Sequence, residues 1–482
     1  MTQLDFYTIL PVITLVVWAC VLLILDAFVF KDKPGMTPLL AALGLIVTLG
    51  LSISQFGREA AGFQQMVVLD GFSNFLNILF MLTGLFGIAV AYGYNRRMGL
   101  GHGEYYPIML FSIVGMMLMA QASDLIVVFL ALELLSIPLY ILAAFAYPRA
   151  ESEEAGLKYF LLGAFSSGFV LYGIAMTYGA TGSTDIPAIV AAIADGLANP
   201  SLLTIGGALI LIGLGFKIAA VPFHMWTPDV YQGAPTSVTA FMAAGAKAAG
   251  FAALLRVFAV AFPSLSADLT PIISVLSALT MIVGNVVAIA QKDMKRMLAY
   301  SSIAQAGYIL MAFASFGNPD VRPVSVAAAL FYLVAYTVTS FGAWGVVIAL
   351  EKAEGKGLAI ADYAGLGKKH PYLAAAMTIF MLSLTGLPPT LGLVGKIYLF
   401  RAAVQGGFIP LAIIGVVTSL LSAFYYLRVV VTMYMKDGEP EVVRETWLEF
   451  TIGAAAVITV VVSLVPAGLF DWASRAIFIA VK

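Results

Sequence analysis

The sequence predicts an all-α polytopic membrane protein of about 14 transmembrane helices, with two inverted five-helix repeats (spans 4–8 and 9–13) and discontinuous helices 7 and 12. Three observations carry this expectation. Hydrophobic residues make up 61% of the 482 and charged residues 11%, whereas a soluble domain is about half apolar and about a quarter charged. Apolar runs of the roughly 20 residues that a spanning helix needs recur from one end of the chain to the other. Lysine and arginine fall almost entirely in alternate loops, as the positive-inside bias requires.

The first run, near 5–30, follows a start without positive charge. It is too long for the apolar part of a cleaved leader, so it is expected to be the first span. Further runs lie near 36–56, 71–94, 105–121, 124–146, 157–181, 202–226 and 237–261. The rest lie near 270–290, 296–316, 322–350, 372–405, 409–435 and 447–470. Residues 1–104 then form an N-terminal three-helix segment and loop, 105–268 the first repeat, 269–436 the second, and 437–482 the last span and tail. The gaps near 182–201 and 351–371 read as ordinary loops.

An even number of spans puts both ends on one side. One set of loops carries Lys31, Lys33, Arg96, Arg97, Arg149, Lys292, Lys295, Arg296, Lys352, Lys356, Lys368, Lys369, Lys436 and Arg444. The other set holds Arg58, Arg322, Arg475 and Lys482. The first set is therefore expected in the cytoplasm and both termini outside it.

Several functions are excluded. A net charge of −1 argues against a nucleic-acid partner. The single cysteine, Cys20, lies in an apolar run and supports neither a disulfide framework nor a thiolate metal site. No glycine-rich nucleotide loop, Walker lysine or Cys/His cluster is present, so nothing in the chain is suited to bind NADH, flavin or an iron–sulfur cluster.

The informative residues are ionisable groups far from water. A charge at a helix centre costs about 2.5–3.5 kcal/mol even on a mild insertion scale. Glu133, in VVFLALELLSIPLYIL, falls near the middle of the fifth span. Lys217 lies deep in the seventh (LIGLGFKIAAVPFHMW), Lys247 in the eighth (FMAAGAKAAGFAALL) and Lys396 in the twelfth (GLPPTLGLVGKIYLF). Lys158 sits at the start of the sixth, where its ammonium can also reach the membrane edge. A bland reading is that buried Glu–Lys pairs only lock helices together. The functional reading rests on chemistry: desolvation favours a neutral amine and a nearby carboxylate favours the ammonium. A lysine beside a movable charge is thus a proton-loading site, and arginine is not, because it stays protonated.

The same spans contain helix breakers. Pro222 follows Lys217 and should free the carbonyl near Ile218, with Pro228 and Gly233 beyond. Gly386, Pro388, Pro389, Gly392 and Gly395 precede Lys396. Unpaired backbone at membrane depth is tolerated only inside protein or beside a wet cavity. Interrupted helices at matching places in two halves point to a transport path built from inverted repeats. His224, read as lying within the seventh span, suits a proton relay, or is a satisfied core histidine. Ser301, Ser302, Gln305, Tyr308, Tyr332, Tyr336, Thr337 and Thr339 line spans 10 and 11, either as a water wire or as helix glue.

The run GFKIAAVPFHMWTPDVYQGAPTSVTAFMAAGAKAAGF, followed by QKDMKRMLAYSSIAQAGYIL, resembles the antiporter-like subunits of respiratory complex I, the proton-translocating NADH–quinone oxidoreductase. The likeness extends over nearly the whole chain. It implies a membrane-arm subunit that moves protons, driven by electron transfer from NADH to quinone elsewhere in the complex. It implies a functional Glu133–Lys217 pair, a central relay at Lys247 and an exit-side lysine at Lys396. Lys158 and His224 match positions linked to the same charged axis.

By the same resemblance this chain has no cofactor of its own. FMN, iron–sulfur clusters and quinone belong to partner subunits, which include sister antiporter-like subunits and small helical subunits. The implied place is a bacterial inner (plasma) membrane, with the lipid bilayer and protons as the chain's other partners. The alternative within the superfamily is a subunit of a multi-subunit cation/proton antiporter or of a membrane-bound hydrogenase. A self-sufficient solute transporter would need substrate contacts that the sequence does not offer, and a non-pumping scaffold would tolerate loss of the buried charges.

Overall fold

The computed structural model of the chain describes residues 2–30, 35–261, 266–352, 355–476 and 478. Lys31, Lys33 and Lys482, assigned above to a loop and the tail, lie outside the described residues.

In chain order the helices are α1 (Gln3–Thr8), α2 (Leu10–Phe28), α3 (Met36–Ser54), α4 (Gly71–Arg97), α5 (Tyr105–Gln121), α6 (Leu125–Ala143) and α7 (Ala150–Thr181). Next come α8 (Ile186–Ala194), α9 (Pro200–Lys217), α10 (Trp226–Gly233), α11 (Thr236–Phe241) and α12 (Lys247–Arg256). They continue as α13 (Ser266–Ala290), α14 (Met294–Phe313), α15 (Arg322–Leu350), α16 (Leu366–Lys369) and α17 (Pro371–Thr385). The last are α18 (Leu391–Gln405), α19 (Ile409–Met435), α20 (Thr446–Leu464) and α21 (Ala467–Ser474). A small antiparallel hairpin joins β1 (Ala60–Gly62) to β2 (Val67–Leu69), with Ala61 opposite Val68.

Among the described residues, eleven helices are long and apolar enough to cross a membrane. This is an all-α polytopic membrane protein. The segment near 182–201, read as a plain loop, contains α8, whose first turn is capped by the Asp185 carboxylate. Caps of the same kind start the interior helices: Asp124 accepts from the Ile126 amide at 2.7 Å, and Asp293 from the Arg296 amide at 2.9 Å. Each satisfies a donor that the helix start leaves free.

Burial separates core from rim. The segment Thr236–Val260 is 100% buried in its most apolar window and α15 is 94% buried, against 28% for α2 and for α20. Two interior columns are thus wrapped by helices whose outer faces carry side chains such as Phe28, Phe165, Leu420 and Phe424. Such faces suit lipid or apolar neighbours. Small residues let helices approach closely, as is usual where lipid removes the hydrophobic drive. A Cβ on Gly115 of α5 would sit 2.3 Å from the Leu135 amide of α6, and one on Gly284 of α13 would sit 2.6 Å from the Ala304 amide of α14.

Candidate functional site

Both helix interruptions are present, and each is built differently. The α9 helix stops at Lys217, and Ala219 adopts φ +62°, a left-handed conformation that costs an L-residue roughly 1–2 kcal/mol. The Trp226 indole donates to the Phe216 carbonyl at 2.9 Å, and the Val221 amide donates to Thr280 Oγ1 at 2.9 Å. These bonds absorb the broken ladder. The second break runs from Gly386 (φ +90°) to Thr390, whose hydroxyl caps α18. A Cβ at Gly386 would meet Lys396 Cδ at 2.9 Å, so glycine supplies both the turn and the room for the lysine stem.

Lys217, Lys247 and Lys396 are 4%, 2% and 2% exposed, so none reaches lipid or bulk water. The Lys217 ammonium donates to Ser136 Oγ at 2.9 Å and to the Tyr159 hydroxyl at 3.0 Å. The Tyr159 ring is held by stacking on Trp226, with centroids 4.5 Å apart and planes 7° apart. Lys396 donates to the Leu384 and Thr385 carbonyls at 3.0 and 2.9 Å and to Ser419 Oγ at 2.8 Å. It therefore sits on the last carbonyls of α17, where the helix dipole favours a cation. Lys217, the last residue of α9, is placed at a helix end of the same sign.

Lys247 donates to the Ser302 carbonyl at 2.6 Å. It follows directly on a π-helical turn, Met242–Ala246, an irregularity frequent at functional sites. Gly250, one turn on, carries the contact to Lys217: a Cβ there would lie 3.3 Å from Lys217 Cγ. On the other side, Gln305 donates to the Leu384 carbonyl at 2.9 Å, the same oxygen that Lys396 holds. The Tyr332 hydroxyl donates to Gln305 at 2.5 Å, and Tyr426 hydrogen-bonds both Gln305 and Ser301. A polar thread thus runs from Ser136 through Lys217, Lys247, the α14 helix and Gln305 to Lys396.

Glu133 stands at one end of this thread. It is half-buried, accepts a hydrogen bond from Ser167, and makes no ion pair with Lys217. The sequence-based Glu–Lys pair is therefore indirect: Ser136, one turn along α6 from Glu133, holds the ammonium instead. Lys158 lies away from the thread, on the surface. It bridges Glu154 at 2.7 Å and Asp229 at 2.9 Å, and Asp229 also binds Arg296 at 2.9 Å. His224 is not inside a helix: it belongs to the turn after α9, is 9% exposed, and its Nδ1 has no partner.

Several buried charges are not evident in the sequence, among them the Arg256–Asp70 pair, Lys295 and Glu351. Lys295, assigned to a solvated loop, is 1% exposed in the first turn of α14, and Glu351 is completely buried just after α15. The Asp293 cap gave a signal for Lys295, since it starts the helix before the lysine. Glu351 gave none, because an apolar span ending in an acid reads as a boundary. Among the described residues, no group of three or more His, Cys, Asp or Glu is placed to hold a metal ion.

Residues 122–422 match the family described as NADH:quinone oxidoreductase/Mrp antiporter, TM. The NADH-quinone oxidoreductase subunit N of Trichlorobacter lovleyi is 47% identical over 466 residues, covering 96% of this chain and 94% of that protein. A chain of respiratory complex I from Thermus thermophilus superposes with a TM-score of 0.82 at 36% identity, covering 96% of this chain and 99% of that one. A chain of the Mrp complex from a Dietzia species superposes with a TM-score of 0.86 at 22% identity, over 99% and 97% of the two chains, and shares the fold.

Proposed function

We propose, from the fact that this chain belongs to the NADH:quinone oxidoreductase/Mrp antiporter family, that it carries protons across the bilayer along the line from Glu133 to Lys396. It is a proton-translocating membrane-arm subunit of that class, set among other membrane-arm subunits. The redox reaction, from NADH to quinone, takes place in partner subunits that hold FMN and iron–sulfur clusters. The observation that carries the reading is the burial of three lysines along one line of polar groups, with no carboxylate paired directly to any of them among the described residues.

In this reading Glu133 sets the charge that Lys217 feels. When its negative charge is near, Lys217 keeps its proton; when a partner draws that charge away, the amine releases the proton inward. Lys247 receives it and passes it, through water and the Gln305 side, to Lys396, the exit. Serine, tyrosine and carbonyl partners suit such a lysine better than a carboxylate does, because they bind the ammonium without trapping it. Lys158 and His224 act at the margin: Lys158 on the Asp229 cluster, and His224 at the break after Lys217.

Fourteen spans follow when α5, α14 and the broken pair α17–α18 are added to the eleven long helices. The halves 105–268 and 269–436 then form inverted repeats, between the N-terminal segment 1–104 and the last span and tail, 437–482. The glycine contacts of α5 with α6 and of α13 with α14 support this, since each joins the first two spans of a half. Both termini face away from the cytoplasm of a bacterial cell, and the arginine- and lysine-rich end of the bundle faces it.

The test is Lys247→Ala in the assembled complex. Proton pumping per electron should fall while subunit content stays complete; parental stoichiometry would refute the assignment. Lys217→Arg should impair as well, because charge is kept but release is lost. The alternative is a subunit of a multi-subunit cation/proton antiporter or of a membrane-bound hydrogenase, and the fold shared with the Mrp complex is common to both readings. Co-purification of a flavoprotein with this chain decides against the alternative.

A further inference from the structure

A second buried charged group lies off the lysine thread, at the arginine- and lysine-rich end of the bundle. Glu351 accepts a hydrogen bond from the Tyr94 hydroxyl at 3.3 Å through Oε1, and its Oε2 has no partner. The Tyr94 oxygen itself accepts from the Thr236 amide at 3.1 Å. Lys295 donates to the Ala234 carbonyl at 2.8 Å, and its charged neighbours are Glu351, Arg149 and Asp293. The titratable groups that face Glu351 are Tyr94, Lys295 and Tyr363. The cluster therefore holds an acid and a base, both buried, that do not close into a direct pair.

Three more polar atoms around it are buried and unsatisfied: Thr236 Oγ1, Tyr363 OH and Asn95 Nδ2. Buried orphans of this kind are where ordered water sits. A cavity of about 430 Å³ reaches Tyr94 from the surface, past Met98, Gly99, Tyr147 and Arg149. A helix that only needed a firm end would pair Glu351 with an arginine. Arg97 instead binds Glu445 at 2.9 Å and the Ile348 carbonyl at 2.8 Å.

We propose that Glu351, wetted through the Tyr94 cavity and opposed by Lys295, is the carboxylate that loads protons into this chain from the cytoplasmic side. A bulk proton that arrives as hydronium in the cavity passes to the Tyr94 oxygen as Tyr94 gives its own to Glu351 Oε1, so neutral water is left behind, one proton enters and the tyrosine is unchanged. The neutral acid then faces an uncompensated Lys295 ammonium, whose field drives the proton inward and restores the carboxylate. The onward path follows the helix that begins at Thr236 and leads to Lys247. It ends at the Ser302 hydroxyl, which Tyr231 and Tyr336 face, on the residue whose backbone carbonyl holds Lys247.

This inference rests on the proton axis proposed above. Glu351→Gln is made in the full complex, with pumping per electron read in proteoliposomes and subunit content on a native gel. Complete assembly with pumping lowered several-fold, and recovery in Glu351→Asp, is the expected result; a purely structural acid would not show that recovery in pumping at constant assembly. Parental pumping in Glu351→Gln overturns the proposal, and if Lys247→Ala is impaired in the same preparation, the axis itself survives. Should Glu351→Gln fail to assemble, Tyr94→Phe decides. Reduced pumping supports the relay, and parental pumping overturns it.

Discussion

Lys396→Met separates a proton carrier from a helix lock. Methionine keeps the unbranched stem that fills the space left by Gly386, so no cavity opens beside the break. The variant loses three hydrogen bonds from the ammonium, at 3.0, 2.9 and 2.8 Å. Bonds to a charged group contribute about 1.5–3 kcal/mol each, which would suggest a severe loss if the lysine were a lock. The acceptors, however, are not left bare. The Leu384 carbonyl keeps the Gln305 amide at 2.9 Å, and the Thr385 carbonyl keeps the Ser419 hydroxyl at 2.8 Å. Removing the ammonium also removes its desolvation cost, and replacing buried charge with apolar volume is often neutral or stabilising. The net change in stability should therefore lie within about 1 kcal/mol, and the complex should assemble. Proton pumping, read by quenching of a pH-sensitive dye in proteoliposomes beside NADH oxidation, should fall sharply. Parental pumping would refute the role of Lys396 as a carrier, and loss of assembly would show that the lysine holds the break together.

Three further outcomes are expected. Arg256→Met should destabilise the chain by about 3–5 kcal/mol, because the guanidinium binds the buried Asp70 carboxylate at 2.6 and 3.0 Å; a thermal melt in detergent reads this. Gly250→Val should reduce pumping with modest loss of stability, since even its Cβ would lie 2.9 Å from Ile218 and 3.3 Å from the Lys217 stem; unchanged pumping would show that this contact is not tuned. Burial raises the Asp229 carboxyl, but hydrogen bonds from Lys158 and Arg296 outweigh it and hold it below the usual carboxylate range. A lowered folded value means that the contribution is present above the unfolded value and is lost as pH falls through the folded one. The groups are partly exposed, so melts of the parent and Asp229→Asn at neutral pH should differ by at most about 1 kcal/mol, and the difference should vanish in acid.

Some features of the fold and the site were legible in the chain because their signals are local. The excess of apolar residues, the span-length runs and the breakers before Lys396 and after Lys217 are one-dimensional facts. They led to a helical membrane protein with interrupted helices, and the interruptions lie at residues 218–225 and 386–390. The depth of Lys217, Lys247 and Lys396 could also be read, since a lysine many residues from either end of an apolar run cannot reach water. Lys295 and Glu351 were misplaced because each lies at a helix end, where sequence suggests solvent. Only neighbouring helices fold that solvent away. Periodicity does not show where the ladder stops, so the sequence alone does not separate His224, in the turn, from the helix before it.

What the sequence by itself determined is that Lys217, Lys247 and Lys396 are taken out of water, because each lies far from both ends of a long apolar run. What only the tertiary structure decided is which oxygens each ammonium meets. Ser136 rather than Glu133 holds Lys217, and the Leu384 and Thr385 carbonyls hold Lys396. The physical reason is that hydrogen bonds act over about 3 Å, and such distances between helices are set by glycine contacts and helix ends far apart in the chain.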